Sequence, residues 1–135
     1  MTLDVLAGPS RIAPLMELIR ASLTRDLLKK EYLEGNLANP LYGYCYVASE
    51  ALYYFIRALL LPDEYLAYEP WRGTDGTGGT HWWLQNSDGD ILDVTAGQYA
   101  ALGIQAPYEN AGPCAFESAH CSRRTAALLK RVGTI

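Results

Sequence analysis

The sequence predicts a single α+β domain in which a helix opened by Cys45 packs on a small antiparallel sheet, and three observations carry that expectation. Apolar residues recur at helical spacing over residues 10–23 and again from Cys45 to about residue 60. Two apolar runs, 81–85 and 91–95, flank Asn86-Ser87-Asp88-Gly89-Asp90, and Asp-Gly between such runs is the mark of a tight hairpin. A chain of 135 residues has room for one core, which removes roughly two thirds of the unfolded surface from water. Within residues 1–135, residues 1–35 read as N-terminal helices, 39–95 as the core of the domain, and 96–135 as a closing loop and helix.

Taken in order, Ile12, Leu15, Leu18, Ile19 and Leu23 form one face of a helix over 10–23, with Pro14 in its first turn, where the missing N–H costs nothing. A second short helix is expected over 25–33, with Thr24 as N-cap and Gly35 as its stop. Residues 36–44, holding Pro40 and Gly43, read as a loop. From Cys45 the apolar positions Ala48, Leu52, Phe55 and Leu59 advance by three and four, so Cys45 opens a buried helix that Pro62 ends. Residues 65–72 read as an aromatic-rich strand. The glycine-rich stretch 73–80 lacks the lysine and following helix of a phosphate loop and is expected to be a mobile lid beside His81. Residues 96–113 read as irregular with one short helix, and Ser122 caps a last helix that runs to about Val132 and stops at Gly133.

Composition removes several function classes. Half the residues are hydrophobic and 19% are charged, a globular balance with none of the signature of disorder. The net charge of -4, with basic residues scattered apart from pairs such as Lys29-Lys30 and Arg123-Arg124, gives no grip on a phosphate backbone, so nucleic acid is not an expected partner. No stretch spans a bilayer and residues 1–14 do not resemble a signal peptide, so no membrane association and a cytoplasmic location are expected. The three cysteines, Cys45, Cys114 and Cys121, are odd in number and do not read as a disulfide framework.

The chemistry concentrates on Cys45, His81 and Asp93. A thiol attacks a carbonyl as thiolate, and a helix N-terminus favours negative charge through its unpaired N–H groups and the macrodipole. A base oriented by a third group completes such a nucleophile, and His81 and Asp93 lie on the two arms of the hairpin. With a three-residue turn, positions whose numbers sum to 176 pair, which puts His81 and Asp93 on one side of the ribbon together with Trp83. With a turn of even length, positions summing to 177 pair and the two residues face apart. Gly43 is expected to let a substrate backbone come close beside Cys45. A tetrahedral oxyanion needs donors: the backbone N–H of Cys45 is one, Asn39 is the first side-chain candidate, and Asn36 and Gln98 follow it.

These residues resemble a known superfamily. Gly43-Tyr44-Cys45-Tyr46 followed by the small residues Ala48, Ser49 and Ala51 is similar to the nucleophile segment of papain-like enzymes, where an oxyanion-hole glutamine stands at the place of Asn39. His81-Trp82-Trp83-Leu84, then Asp88-Gly89-Asp90-Ile91-Leu92-Asp93, is similar to the transglutaminase-like core. The resemblance covers residues 39–95 and implies a cysteine-nucleophile hydrolase or acyltransferase acting on an amide, ester or thioester of a peptide, a protein or a small acyl compound, with no cofactor. The whole chain is also similar to small uncharacterised bacterial and phage proteins.

Other readings stand beside this one. The same fold can serve as a non-catalytic protein-binding module, in which Cys45 is a small core residue, His81 caps a strand and Asp93 binds the turn backbone. His120 is an alternative base. Cys114, His120 and Cys121 with Cys45 or His81 have the ligand types for zinc, but no close Cys-x-x-Cys pair, so no metal is expected and the tail cysteines are expected to pack under the last helix. Trp71, Trp82, Trp83 and the ten tyrosines are expected to serve the core more than a substrate groove.

Overall fold

The computed structural model describes residues 12–58, 63–118 and 120–133. It is α+β, with five α-helices and one four-stranded antiparallel sheet among the described residues. Helix α1 (Ile12–Ala21) buries Ile12, Leu15 and Ile19, as its periodicity requires, with Pro14 in the first turn. The expected start of this helix at residue 10, and the expected stop of the Cys45 helix at Pro62, lie outside the described residues.

The helix expected over 25–33 is replaced by two 3-10 turns, Arg25–Leu27 and Lys30–Tyr32, and a short α2 (Leu33–Ala38). Leu27 and Leu28 are both buried there. Thr24 makes no capping bond; its hydroxyl is bonded to Asp26 and accepts from Arg131 Nη1 at 2.6 Å. Gly35 does not stop α2 but lies inside it, because a Cβ there would come within 2.6 Å of the Tyr42 ring.

Helix α3 (Cys45–Ala58) is the centre of the domain: it packs on α1, on the last helix and on the second strand of the sheet. The strands run in the order β3-β2-β1-β4, with β1 (Glu69–Thr74), β2 (Thr80–Gln85), β3 (Ile91–Leu92) and β4 (Ala111–Pro113). The strand expected over 65–72 begins later, after a 3-10 turn, Asp63–Ala67. Stretch 73–80 is not a free lid. Gly73 and Thr74 belong to β1, Thr80 opens β2, and the turn between them is closed by Asp75 N–H to Gly79 O at 2.9 Å and by Asp75 Oδ1, which accepts from Thr77 N, Thr77 Oγ1 and Gly79 N.

The β2–β3 hairpin has the three-residue turn. Leu84 pairs with Leu92 and Gln85 with Ile91, Asn86 N–H reaches Asp90 O at 3.1 Å, and Gly89 takes the left-handed φ of 87° that the turn demands. The tail is more ordered than the sequence suggests: α4 (Gly97–Leu102) ends on the left-handed Gly103, and β4 adds a fourth strand to the far edge of β1. Helix α5 (Arg123–Gly133) starts as expected, with Ser122 Oγ accepting the Thr125 N–H at 3.1 Å. The buried Glu50 of α3 accepts the Ser122 N–H at 3.0 Å, which fixes the start of α5 to α3. Among the described residues no helix is long and apolar enough to cross a membrane.

Candidate active site

Cys45 is the first residue of the 14-residue helix α3, and the Tyr44 carbonyl before it accepts the Ala48 N–H at 2.9 Å. The N–H of Cys45 therefore lies in the first turn, where no intrahelical acceptor exists. Gly43 approaches with φ 94°, and a Cβ there would meet Tyr32 Cβ at 2.7 Å and Leu28 Cδ2 at 2.8 Å. The close approach that this glycine permits is thus made by the N-terminal turns of the same chain. Cys45 is half-buried, and its thiol points toward the Thr80 carbonyl at 4.0 Å.

His81 is fully buried, one residue into β2. Its Nε2 lies 2.7 Å from Asp93 Oδ2, as the 176 register requires of two residues on one side of the ribbon. Asp93 stands just past β3 and is saturated: Oδ2 also accepts from the Tyr108 hydroxyl at 2.7 Å and Oδ1 from the Thr95 N–H at 3.1 Å. A carboxylate can only accept, so Nε2 carries the proton and the lone pair of the neutral ring is on Nδ1. That nitrogen is sealed from solvent and makes no hydrogen bond.

Burial is the largest influence on the imidazole and drives it toward the neutral form. The hydrogen bond to Asp93, the neighbouring Cys45 thiol and the charge of Asp93 outweigh it and raise the pKa to about 9. Tyr108, held above the ordinary phenol range first by burial and then by the Asp93 charge, stays a donor.

Aromatic rings fix the imidazole from two sides. Tyr99 stands edge-on at 4.9 Å between centroids and Trp83 lies at 5.6 Å on the face they share, while Trp82 points the other way and packs on Tyr46 and Phe116. Ser49, one turn into α3, donates to the Trp82 carbonyl at 3.1 Å, which couples the helix opened by Cys45 to the strand carrying His81.

Comparison with protein-family models, with curated proteins and with solved structures finds no match. The geometry therefore stands alone.

The other candidate residues fall as follows. Asn39 is buried, 7% exposed, and its amide donates to the Gln98 carbonyl at 2.9 Å. The Asn36 amide donates to the carbonyls of Pro40 at 3.0 Å and Tyr42 at 2.9 Å, and its Oδ1 accepts from Arg25. Gln98, by contrast, lines the cleft that opens on Cys45, a space of about 290 Å³ walled by Tyr42, Tyr46 and Trp82 and by the Asp75 turn. His120 is exposed, unlike the buried His81 and Asp93. Cys114 and Cys121 are half-buried thiols beside β4 and ahead of α5, and among the described residues no three His, Cys, Asp or Glu side chains gather as a metal would need. Tyr108 and Tyr99, which complete the surroundings of the pair, were not singled out by the sequence: among ten tyrosines neither carries a distinguishing signal.

Proposed function

We propose that this chain is a cysteine-nucleophile hydrolase or acyltransferase of papain-like or transglutaminase-like kind, acting on an amide, ester or thioester through Cys45, His81 and Asp93. The observation that carries this reading is the buried His81–Asp93 pair at 2.7 Å whose remaining ring nitrogen makes no hydrogen bond, with a thiol that raises the imidazole pKa standing at the N-terminus of a helix and on a cleft. A pair that served only the fold would use both ring nitrogens, since a buried polar atom without a partner costs about 1–3 kcal/mol.

In this mechanism the Cys45 proton moves to His81 Nδ1, and the sulfur bonds to the substrate carbonyl carbon while the π pair becomes an oxyanion held by the Cys45 N–H. The intermediate collapses as His81 returns the proton to the leaving group, and the acyl thioester passes to water or an amine. Asp93 keeps the imidazole in its tautomer and stabilises the imidazolium. A peptide, a protein side chain or a small acyl compound would all meet these demands.

The test is the rate of iodoacetamide alkylation of each cysteine, resolved by peptide mass, from about pH 4 to about pH 9. Cys45 should react ahead of Cys114 and Cys121 at neutral pH and fall to their rate in His81→Ala. Equal rates for all three thiols in the parent protein would overturn the mechanism and leave the fold as a binding module.

A further inference from the structure

The site described so far supplies one oxyanion donor, the Cys45 N–H, and acyl transfer usually employs a second. We infer that the side-chain amide of Gln98 is that second donor, and that Asn39 holds Gln98 in place. This rests on the acyl-transfer reading of Cys45.

Three side-chain amides, Asn36, Asn39 and Gln98, are candidates, and their hydrogen bonds separate them. Those of Asn36 and Asn39 are committed to main-chain carbonyls. Gln98 is only 5% exposed yet lines the cleft beside Cys45, its Oε1 is sealed without a partner, and among the described residues no hydrogen bond claims its Nε2. An oxyanion entering the cleft is an acceptor, so the end of this amide that it can engage is the uncommitted Nε2 donor and not the sealed Oε1.

Its position is built from two sides. The Gln98 N–H closes a turn on the Thr95 carbonyl at 3.0 Å, and Thr95 in turn donates to Asp93, so α4 starts from the acid of the site. Gly97 lets Leu41 of the loop before Cys45 come against α4, since a Cβ there would lie 2.9 Å from Leu41 Cδ1, and the Asn39 amide holds the Gln98 carbonyl. Loop and helix are thereby locked, and Gln98 is held among the residues that line the thiol's cleft. The residue at the papain-type position acts as the support, and the donor comes from the far side of the acid.

The experiment compares two reactions of the same thiol. Acylation by p-nitrophenyl acetate passes through an oxyanion; alkylation by iodoacetamide, a displacement at a methylene, does not. Gln98→Ala and the similarly shaped Gln98→Met should slow Cys45 acylation by about 10²–10³-fold and leave alkylation at the parent rate. Equal losses in both reactions would assign Gln98 to the thiol or the fold, and undiminished acylation would give it no part; either overturns the inference. If the parent protein alkylates rapidly at Cys45 but is not acylated, the acyl-transfer reading itself falls and this inference with it.

Discussion

Ser49 Oγ donates to the Trp82 carbonyl at 3.1 Å, and this buried bond joins the helix that begins with Cys45 to the strand that carries His81. The two residues stand four after Cys45 and one after His81, so the bond sets the spacing between thiol and imidazole. Ser49→Ala should lower stability by about 1–2 kcal/mol, read as a shift in the urea midpoint, because a buried carbonyl loses its partner. It should also slow Cys45 alkylation at neutral pH; a stability loss with unchanged thiol reactivity would show that the spacing is held elsewhere.

Cys45→Ser should abolish turnover with little change in thermal midpoint, since the substitution is nearly isosteric at a half-buried position. Asp93→Asn should leave a folded protein of much lower activity. An amide presenting its N–H to Nε2 would force the opposite tautomer and take the lone pair away from the thiol. Full activity in Cys45→Ser would end the nucleophile assignment.

Removing the Tyr108 hydroxyl tests the support of the acid. Tyr108→Phe deletes a donor at 2.7 Å from Asp93 Oδ2, a bond to a charged group, and should cost about 1.5–3 kcal/mol in chemical denaturation. Activity should fall less than in Asp93→Asn, because Thr95 and His81 still hold the carboxylate.

The pH dependence of stability follows from His81. Its folded pKa, about 9, stands above the unfolded value of 6.5. The native state therefore holds the proton more tightly, and the linked stability is fully present below pH 6.5 and is lost as pH rises through about 9. Denaturation midpoints of the parent should decline across that window, and those of His81→Ala should not. A parallel decline in both proteins would place the titration at another group.

Gly43→Ala should be among the most damaging of the small substitutions. The residue has φ 94°, and the new methyl would press on Tyr32 Cβ and Leu28 Cδ2. A loss of about 1–3 kcal/mol is expected, together with slower Cys45 alkylation, since the strain falls two residues before the thiol.

What the sequence made legible was what short-range chemistry dictates. Asp88-Gly89 marks the hairpin but leaves its register open between sums of 176 and 177 until the strands are seen paired; the start of α3 at Cys45 follows from its apolar spacing, and Ser122 is a cap wherever a helix follows it. What stayed hidden depends on contacts distant in sequence. Strand β4 is Ala-Gly-Pro, which has no strand propensity; it forms because Gly73 leaves room for Pro107 O and Ala111, and that approach carries Tyr108 to Asp93. Gly35 reads as a stop until the Tyr42 ring is seen against it. Asn39 stands where the papain-type pattern puts a donor, and only the fold shows its amide bonded to Gln98.

The hairpin register has one more consequence. Side chains alternate along a strand, so the parity that brings His81 to Asp93 is also the parity that turns Leu84 and Val94 into the core. A chain slipped by one residue would lose its base–acid pair and its apolar seal in the same step. Packing and reactivity are thus tied to one register, so the fast alkylation proposed for Cys45 should appear only in molecules whose hairpin is correctly paired, and a thiol titration would report on folding.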